Sequence, residues 1–142
     1  MTGVLIEQIA RWGEATFRPP VQAEAVASAE TTLGHSLPND LGQVLAESDG
    51  IEGEYGLGLV WSLDRITADN ASFRTDESFR DLFMPFDGLV FFADAGNGDQ
   101  FALSLTGNCE VYVWDHETDS RSWVAPSVMA YLEGWMTGRI KV

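Results

Sequence analysis

The sequence predicts an α+β domain with N-terminal helices, a mostly antiparallel, mixed sheet arranged as a meander, helices on one face of that sheet, and a C-terminal helix. Three observations favour this class: helical spacing of apolar residues before Gly50, apolar segments separated by turn residues after it, and a final amphipathic segment. The 142 residues suit one domain, and a hydrophobic content of 45% is typical of globular folds. We therefore expect a single domain over residues 1–142.

Three helices are expected in the first third of the chain. The first begins at Thr2 as its N-cap and continues through apolar residues at helical spacing until a double proline. The second covers about residues 21–33 and ends at Gly34, because glycine tolerates the left-handed conformation that follows many helices. The third is opened by Leu37-Pro38 and ends at Gly50.

After Gly50 the pattern changes to short strands. They are expected at residues 55–61, 89–93, 100–105, 110–114 and 122–124. Asn97-Gly98 is the strongest hairpin signal, since this pair adopts the two-residue turns that connect antiparallel strands. Residues 64–83 are expected to form one or two short helices with four side chains directed inward: Phe73, Phe79, Leu82 and Phe83. The last helix is expected at about residues 126–136.

Acidic residues dominate the charged positions. There are 22 of them against 8 basic residues, which gives a formal net charge of −14. This balance argues against binding to nucleic acid or to anionic membranes, because both need Lys and Arg. Residues 19–64 and 81–120 each contain eight acidic residues and neither Lys nor Arg. These two acidic windows give a surface of one sign if they fold together, and solubility alone is the alternative explanation.

Signals for a compartment are few. The single cysteine, Cys109, has no partner for an internal disulfide, and residues 1–17 lack the basic segment and apolar run of a signal peptide. No segment approaches the roughly 20 apolar residues of a membrane span. We expect a cytoplasmic protein that is a monomer or a weak homodimer.

No group of residues predicts catalysis or a cofactor. His35 and His116 lie in polar turns, where a histidine is usually solvated. The glycine-rich turn at residues 94–99 lacks the later ligands of a calcium loop, and Cys109 has no zinc-ligand spacing. We therefore expect no enzyme, no metal and no cofactor. A small acid–base enzyme is the third hypothesis, and it requires one of these histidines in a concave acidic pocket with a shifted pKa.

Four segments resemble the SMI/KNR family of the SUKH superfamily in their order and spacing. They are Leu33-Gly34-His35-Ser36-Leu37-Pro38-Asn39-Asp40-Leu41 with the following Ser48-Asp49-Gly50-Ile51, the turn Gly96-Asn97-Gly98-Asp99 with its flanking strands, Val111-Tyr112-Val113-Trp114-Asp115-His116-Glu117, and Val124-Ala125-Pro126-Ser127. The resemblance covers about residues 21–136 and implies an α+β fold that functions by binding. It further implies an immunity protein that neutralises a toxin, often a nuclease, as in bacterial members, or a cell-wall and stress regulator, as in fungal ones.

The resemblance implies a protein partner, and the charge indicates which kind. An acidic immunity protein is attracted to the basic cleft of a toxin that acts on nucleic acid, so we expect a cognate toxin, with a basic nuclease as one candidate. The candidate contact residues are acids in turns: Asp49, Glu52, Glu54, Asp94, Asp99, Asp115, Glu117 and Asp119. Trp61 and Trp114 are candidate anchors, with a core position as the favoured alternative. The second hypothesis is a non-catalytic regulatory or scaffolding module of the same fold with another protein partner.

Overall fold

The computed structural model describes residues 3–86, 88–106 and 109–142, with the side chains of residues 79–81 outside the description. The helices are α1 (Val4–Ala10), α2 (Ala23–Leu33), α3 (Asn39–Leu45), α4 (Leu63–Thr75), α5 (Glu77–Leu82) and α6 (Val128–Met136). The strands are β1 (Thr16–Phe17), β2 (Ile51–Glu52), β3 (Gly58–Val60), β4 (Leu89–Asp94), β5 (Gln100–Ser104), β6 (Val111–Trp114) and β7 (Arg121–Ala125), and a 3₁₀ turn spans Glu54–Gly56. The expected N-cap Thr2 and the side chain of Phe79 lie outside the described residues. None of the helices in the described ranges is long and apolar enough to cross a membrane.

The strand pairings of the described residues are antiparallel and form two sheets. One has the strand order β1-β2-β3, and the other is a meander with the order β4-β5-β6-β7. The sheets approach each other beside β3, where the Trp61 backbone N–H donates to the Phe92 carbonyl at 2.7 Å. The β4–β5 register shifts between Phe91 and Ala93, which leaves Phe92 without a partner on β5. This bulge therefore frees the carbonyl that joins the two sheets.

Helices cover both faces of the four-stranded sheet. Phe91 in β4 meets Phe73 of α4 edge to face, with ring centroids 5.0 Å apart. Phe101 in β5 packs against Tyr131 of α6 at 4.6 Å. Phe91 pairs with Ala102, the neighbour of Phe101, so the two phenyl rings point to opposite faces. The α+β class and the C-terminal helix are confirmed, whereas the expected placement of helices on one face is corrected, because β4 is apolar on both faces and each face needs cover.

Two expected helix boundaries change. The first helix ends at Ala10, and Thr16 lies in β1, because the chain extends there to pair with β2, a strand that the sequence pattern did not reveal. The third helix ends at Leu45 rather than at Gly50. Gly50 instead has a φ of 91° and lies where a Cβ would be 2.9 Å from the Ser62 backbone nitrogen. Its role is a close backbone approach that leaves no room for a side chain.

The second half of the chain follows the expected order of elements. The last four strands and α6 begin and end within two residues of their predicted bounds. The strand expected at residues 55–61 is reduced to β3, because the 3₁₀ turn occupies its first part. Leu82, expected to point inward, is 71% exposed. The helix α5 ends at this residue, whereas Phe83 points inward as expected, with its ring centroid 5.2 Å from that of Trp114.

Candidate functional site

Three chain segments meet at one end of the molecule. They are the loop at residues 53–58, the turn at 95–99 between β4 and β5, and the turn at 115–120 between β6 and β7. The two turns share this end because alternate connections of an antiparallel meander lie at the same end of the sheet. The loop joins them where a Cβ on Gly96 would be 3.5 Å from the Leu57 Cδ1 atom. We call these three segments the acidic end. Five candidate acids belong to it: Glu54, Asp99, Asp115, Glu117 and Asp119.

The other three candidate acids line a cleft of about 160 Å³; they are Asp49, Glu52 and Asp94. Asp49 and Glu52 come from the first acidic window, and Asp94 comes from the second. The two windows therefore meet in space at this cleft. Arg18 and Arg65 also line it, so that its charge is mixed rather than uniformly negative.

Asp94 is held in the cleft by a bidentate ion pair. Its two oxygens accept hydrogen bonds from the Arg65 guanidinium at 2.9 and 3.0 Å. The guanidinium carbon lies 3.9 Å from the centroid of the Trp61 ring. Gly58 makes this packing possible, since a Cβ there would be 2.8 Å from an Asp94 oxygen. The bidentate pair and the cation–π contact therefore join α4 to β4 and to the residue that follows β3.

Basic residues that border the acidic windows neutralise part of their charge. Arg18, directly before the first window, donates to Glu52 at 2.8 Å. Arg121, directly after the second window, donates to Asp119 at 3.0 Å. Arg65, which holds Asp94, directly follows the first window. The separation of charge along the sequence therefore does not persist in space.

Asp99 and His116 join the two turns of the acidic end. The His116 Nδ1–H donates to Asp99 Oδ1 at 2.6 Å, and the His116 backbone N–H donates to the same oxygen at 3.2 Å. The imidazole lies on Gly98, where a Cβ would be 2.8 Å from the ring carbon Cε1. The hydrogen bond with Asp99 raises the pKa of His116 above its ordinary value. Gly98 and Asp99 of one turn are thus shaped to receive the histidine of the other.

Two further candidate acids accept backbone N–H groups. Asp115 accepts from Glu117 at 2.8 Å and from Thr118 at 3.2 Å. The bond from Glu117 is the main cause that lowers the pKa of Asp115. Asp49 accepts the Leu63 backbone N–H at 2.8 Å, at the start of α4. These bonds satisfy donors that turns and helix starts leave without a backbone acceptor.

Asp119 connects its turn to the aromatic core. One of its oxygens accepts the Trp114 Nε1–H at 2.8 Å, and the other accepts the Met84 backbone N–H at 2.9 Å. Arg121 is the third donor to this carboxylate. The residue has a φ of 61°, which aspartate tolerates better than most side chains do. Asp119 is therefore a structural acceptor as well as a surface charge.

The four segments that carry the family resemblance supply the start of α3 with residues 49–51 of the cleft, the turn at Gly98, the turn that holds His116, and the end of β7 with the N-cap of α6. A comparison with protein-family models finds a match to SUKH_6, described as SMI1-KNR4 cell-wall, over residues 23–132. The chain belongs to the SMI1-KNR4 family of SUKH proteins. The matched range includes all of the four-stranded sheet and all of the acidic end. No curated protein matches the chain.

Both candidate anchor tryptophans of this SUKH protein are core residues. Trp61 is 2% exposed and Trp114 is 6% exposed. The Trp114 ring lies between 5.2 and 5.7 Å from the rings of Phe83, Phe86 and Phe91, in edge-on contacts. A ring enclosed in this way offers no face to a partner. The anchor hypothesis is therefore corrected in favour of its core alternative.

Tyr55 is an exposed aromatic residue that the sequence pattern did not indicate as a binding candidate. Its side chain is 102% exposed, and its φ of 59° places it in the left-handed region inside the 3₁₀ turn. The sequence pattern predicts a strand at this residue, whereas the structure places it in a 3₁₀ turn. The available signal was the glycine on either side, Gly53 and Gly56, which indicates a loop.

Two acids of the acidic end stand apart from the network of turn hydrogen bonds. Within the described ranges, the Glu54 carboxylate has neither a hydrogen bond nor an ion pair. The Glu117 carboxylate is 80% exposed, and its closest charged neighbour is the His116 Nε2 atom at 4.0 Å. Among the described residues at this end, the Glu54 carboxylate is therefore free, and the Glu117 carboxylate has only the long contact with His116.

One group of side chains has the spacing of metal ligands. Asp99, Asp115 and His116 place ligand atoms within 4.8 Å of one another in the described part of the chain. Each of the three already takes part in the hydrogen bonding of the two turns. We assign this group to the connection between the turns, because those bonds account for the position of each side chain.

Proposed function

We propose that this SUKH protein is an immunity protein of the cytoplasm that binds a cognate bacterial toxin and blocks it. The observation that carries the proposal is the convergence of carboxylates from three separate segments at the acidic end. Membership of the SMI1-KNR4 family supports a protein partner. A toxin that acts on nucleic acid needs a basic cleft, so a nuclease is the toxin class that this surface complements best.

The charge that remains after internal pairing supports this choice. Three of the candidate acids are paired with arginines, namely Glu52, Asp94 and Asp119. Asp49, Glu54, Asp115 and Glu117 have no Lys or Arg partner within the described ranges. Their field extends about 10 Å into solvent at moderate ionic strength, which is enough to orient an approaching basic protein.

We propose binding rather than catalysis. The third hypothesis required a histidine with a shifted pKa in a concave acidic pocket, and His116 does have a raised pKa. However, its Nδ1 is bonded to Asp99 and its ring lies on the backbone of Gly98, which is the geometry of a connection between turns. His35 Nδ1 lies 2.9 Å from the Ser36 carbonyl, a local turn contact.

The proposal requires a gene for a toxin-like protein beside the gene for this chain, and the test uses the C-terminal domain of that protein. We expect co-expression of the SUKH protein to rescue cells from that domain, and the purified pair to associate with nanomolar or lower Kd. The association rate is expected to fall about ten-fold or more between about 20 mM and about 500 mM salt, because exposed charges are screened. Replacing the two most solvent-directed carboxylates of the acidic end that lack a Lys or Arg partner, Glu54→Gln with Glu117→Gln, is expected to slow association about three- to ten-fold.

A matched pair of substitutions separates the acidic end from overall charge. Glu24→Gln with Glu77→Gln removes the same charge at the starts of α2 and α5, and we expect little effect on association. An equal slowing by both pairs would mean that net charge alone acts. Failure of the wild type to rescue cells would overturn the proposal and favour the regulatory module, which agrees with the cell-wall description of the family model.

A further inference from the structure

Tyr55 has a conformation that folding alone does not favour. Its φ of 59° and ψ of 26° lie in the left-handed region, which is unfavourable for a residue with a bulky side chain. Its exposure of 102% means that the ring gains no buried contact in return. Strained, bulky residues of this kind concentrate at functional sites.

The residues around Tyr55 hold the loop in this shape. The Gly53 N–H donates to the Leu57 carbonyl at 2.8 Å. The Leu57 N–H donates in turn to the backbone carbonyl of Glu54 at 3.1 Å. A Cβ on Gly53 would be 2.9 Å from the Leu59 side chain, so the loop is packed against β3 at that point. The turn is therefore closed from both ends, and Tyr55 projects from its tip.

A groove is lined in part by the loop that carries Tyr55, through Gly53, Glu54 and Leu57, and its composition suits one kind of side chain. Its apolar lining comes from four residues: Leu57, Leu59, Trp135 and Met136. Its acidic lining is Glu14 and Glu54, and Tyr55 directly follows the second of these. Neither carboxylate has a hydrogen bond or an ion pair among the described residues. Apolar walls with two free carboxylates complement the long stem and cationic head of arginine or lysine.

We propose that this groove seats a basic side chain of the protein partner, with Tyr55 packed against that side chain. The stem lies along the apolar lining, the cationic head is bound by Glu14 and Glu54, and the Tyr55 ring offers its face to the cation. Tyrosine suits this role, because it adds a large contact area with few side-chain torsions to immobilise. The inference rests on the proposed function, since the partner is the cognate toxin.

The experiment measures binding of the toxin domain encoded beside this chain to variants of the SUKH protein. Tyr55→Gly is expected to raise the Kd at least about ten-fold, mainly through faster dissociation, as for other aromatic interface anchors. Glu14→Gln with Glu54→Gln is expected to raise it about three- to ten-fold. Trp123→Ala is the matched control, since Trp123 is another exposed aromatic, on β7, and its loss is expected to change the Kd less than about two-fold.

An NMR measurement tests, independently of affinity, whether the partner binds in the groove. Trp135 lines the groove, so we expect its indole N–H resonance to shift when the wild-type complex forms. In Tyr55→Gly, a melting temperature at or above that of the wild type shows that weaker binding is not caused by unfolding.

The outcomes separate this inference from the function on which it rests. Wild-type binding with no loss in Tyr55→Gly, or with an unshifted Trp135 resonance, overturns the groove and leaves the immunity function standing. A wild type that does not bind the toxin domain overturns both. Equal losses in Tyr55→Gly and Trp123→Ala would show that exposed aromatics contribute without specificity, which also contradicts the inference.

Discussion

Tyr55 and Asp119 share a backbone conformation and lie at the same end of the molecule, yet their surroundings are opposite. Their φ angles are 59° and 61°. Asp119 accepts three hydrogen bonds, from Trp114, Met84 and Arg121. Tyr55 is 102% exposed. One left-handed residue is therefore compensated by the fold, and the other is not.

The difference shows that a strained position has to be judged by what its side chain contacts. At Asp119, the left-handed backbone directs a carboxylate toward a buried indole N–H, and the hydrogen bond repays the local cost. At Tyr55, the same backbone directs a ring into solvent. We infer that Asp119 stabilises the fold, whereas Tyr55 is retained for a contact outside it.

The largest expected effect on stability comes from a substitution at Asp119. Asp119→Gly tolerates the positive φ and removes only the carboxylate, so the Trp114 Nε1–H loses its acceptor inside the aromatic core. We expect the free energy of unfolding to fall by about 2–3 kcal/mol, the cost of leaving a buried donor unsatisfied together with the lost turn contacts. Urea denaturation monitored by tryptophan fluorescence measures it.

Asp119→Asn is the matched control for this measurement. Asparagine also tolerates a positive φ, and its amide oxygen still accepts from Trp114 and Arg121, while the negative charge and the oxygen that accepts the Met84 N–H are lost. A loss of about 1–1.5 kcal/mol is expected, smaller than for glycine, because the hydrogen bond from Met84 and the charge opposite the mostly buried Arg121 are lost while the indole keeps its acceptor. If Asn and Gly destabilised the protein equally, the hydrogen bond to the indole would not be the source of stability.

The order of the helices and strands was predicted from the sequence more accurately than the residues at which they begin and end. Asn97-Gly98 and the alternating strands around it have local signals, because turn chemistry and side-chain period act over a few residues. The strand β2 has only two residues, and its Glu52 pairs with Thr16, far away along the chain. No local pattern encodes such a pairing. The left-handed turn at Tyr55 likewise depends on packing between Gly53 and Leu59.

The candidate site was predictable in position but not in role. Six of the eight candidate acids lie in turns or loops as predicted, whereas Glu52 and Asp94 are the last residues of β2 and β4. Their partners could not be predicted, because the bond from Arg65 to Asp94 spans 29 residues and depends on how the two sheets meet. The same limit applies to the Trp114 indole, which became a core group bonded to Asp119.

Substitution by glycine is expected to have a different effect at Tyr55, the exposed left-handed residue, than at Asp119. Tyr55→Gly relieves the left-handed strain and removes no buried contact, while glycine makes the unfolded chain more flexible. These effects oppose each other, and we expect the free energy of unfolding to stay constant or rise by up to about 1 kcal/mol. The sign is therefore opposite to that of Asp119→Gly in the same denaturation assay.

Tyr55→Ala distinguishes the two contributions to this result. Alanine keeps a Cβ at the positive φ, so we expect a stability close to that of the wild type and no gain. A loss of more than about 1 kcal/mol in either variant would show that Tyr55 supports the fold through a contact, and the contrast with Asp119 would collapse.

The smallest expected effect concerns the Asp99–His116 connection, and it depends on pH. The folded state raises the pKa of His116, chiefly through its hydrogen bond with Asp99, so the connection contributes its full stability below the ordinary histidine pKa of about 6.5. That contribution is lost as the pH rises through the raised value. The pKa of Asp115 is lowered instead, so its contribution changes only in acid, outside this range.

We therefore expect His116→Gln to lower the melting temperature more at about pH 6 than at about pH 9, because only the wild type carries a proton that favours the folded state. A gap between the two proteins that stays constant or widens with rising pH would show that His116 acts through packing on Gly98 rather than through its charge. A titration of the His116 ring resonances, with a midpoint above that of an unfolded histidine, measures the cause directly.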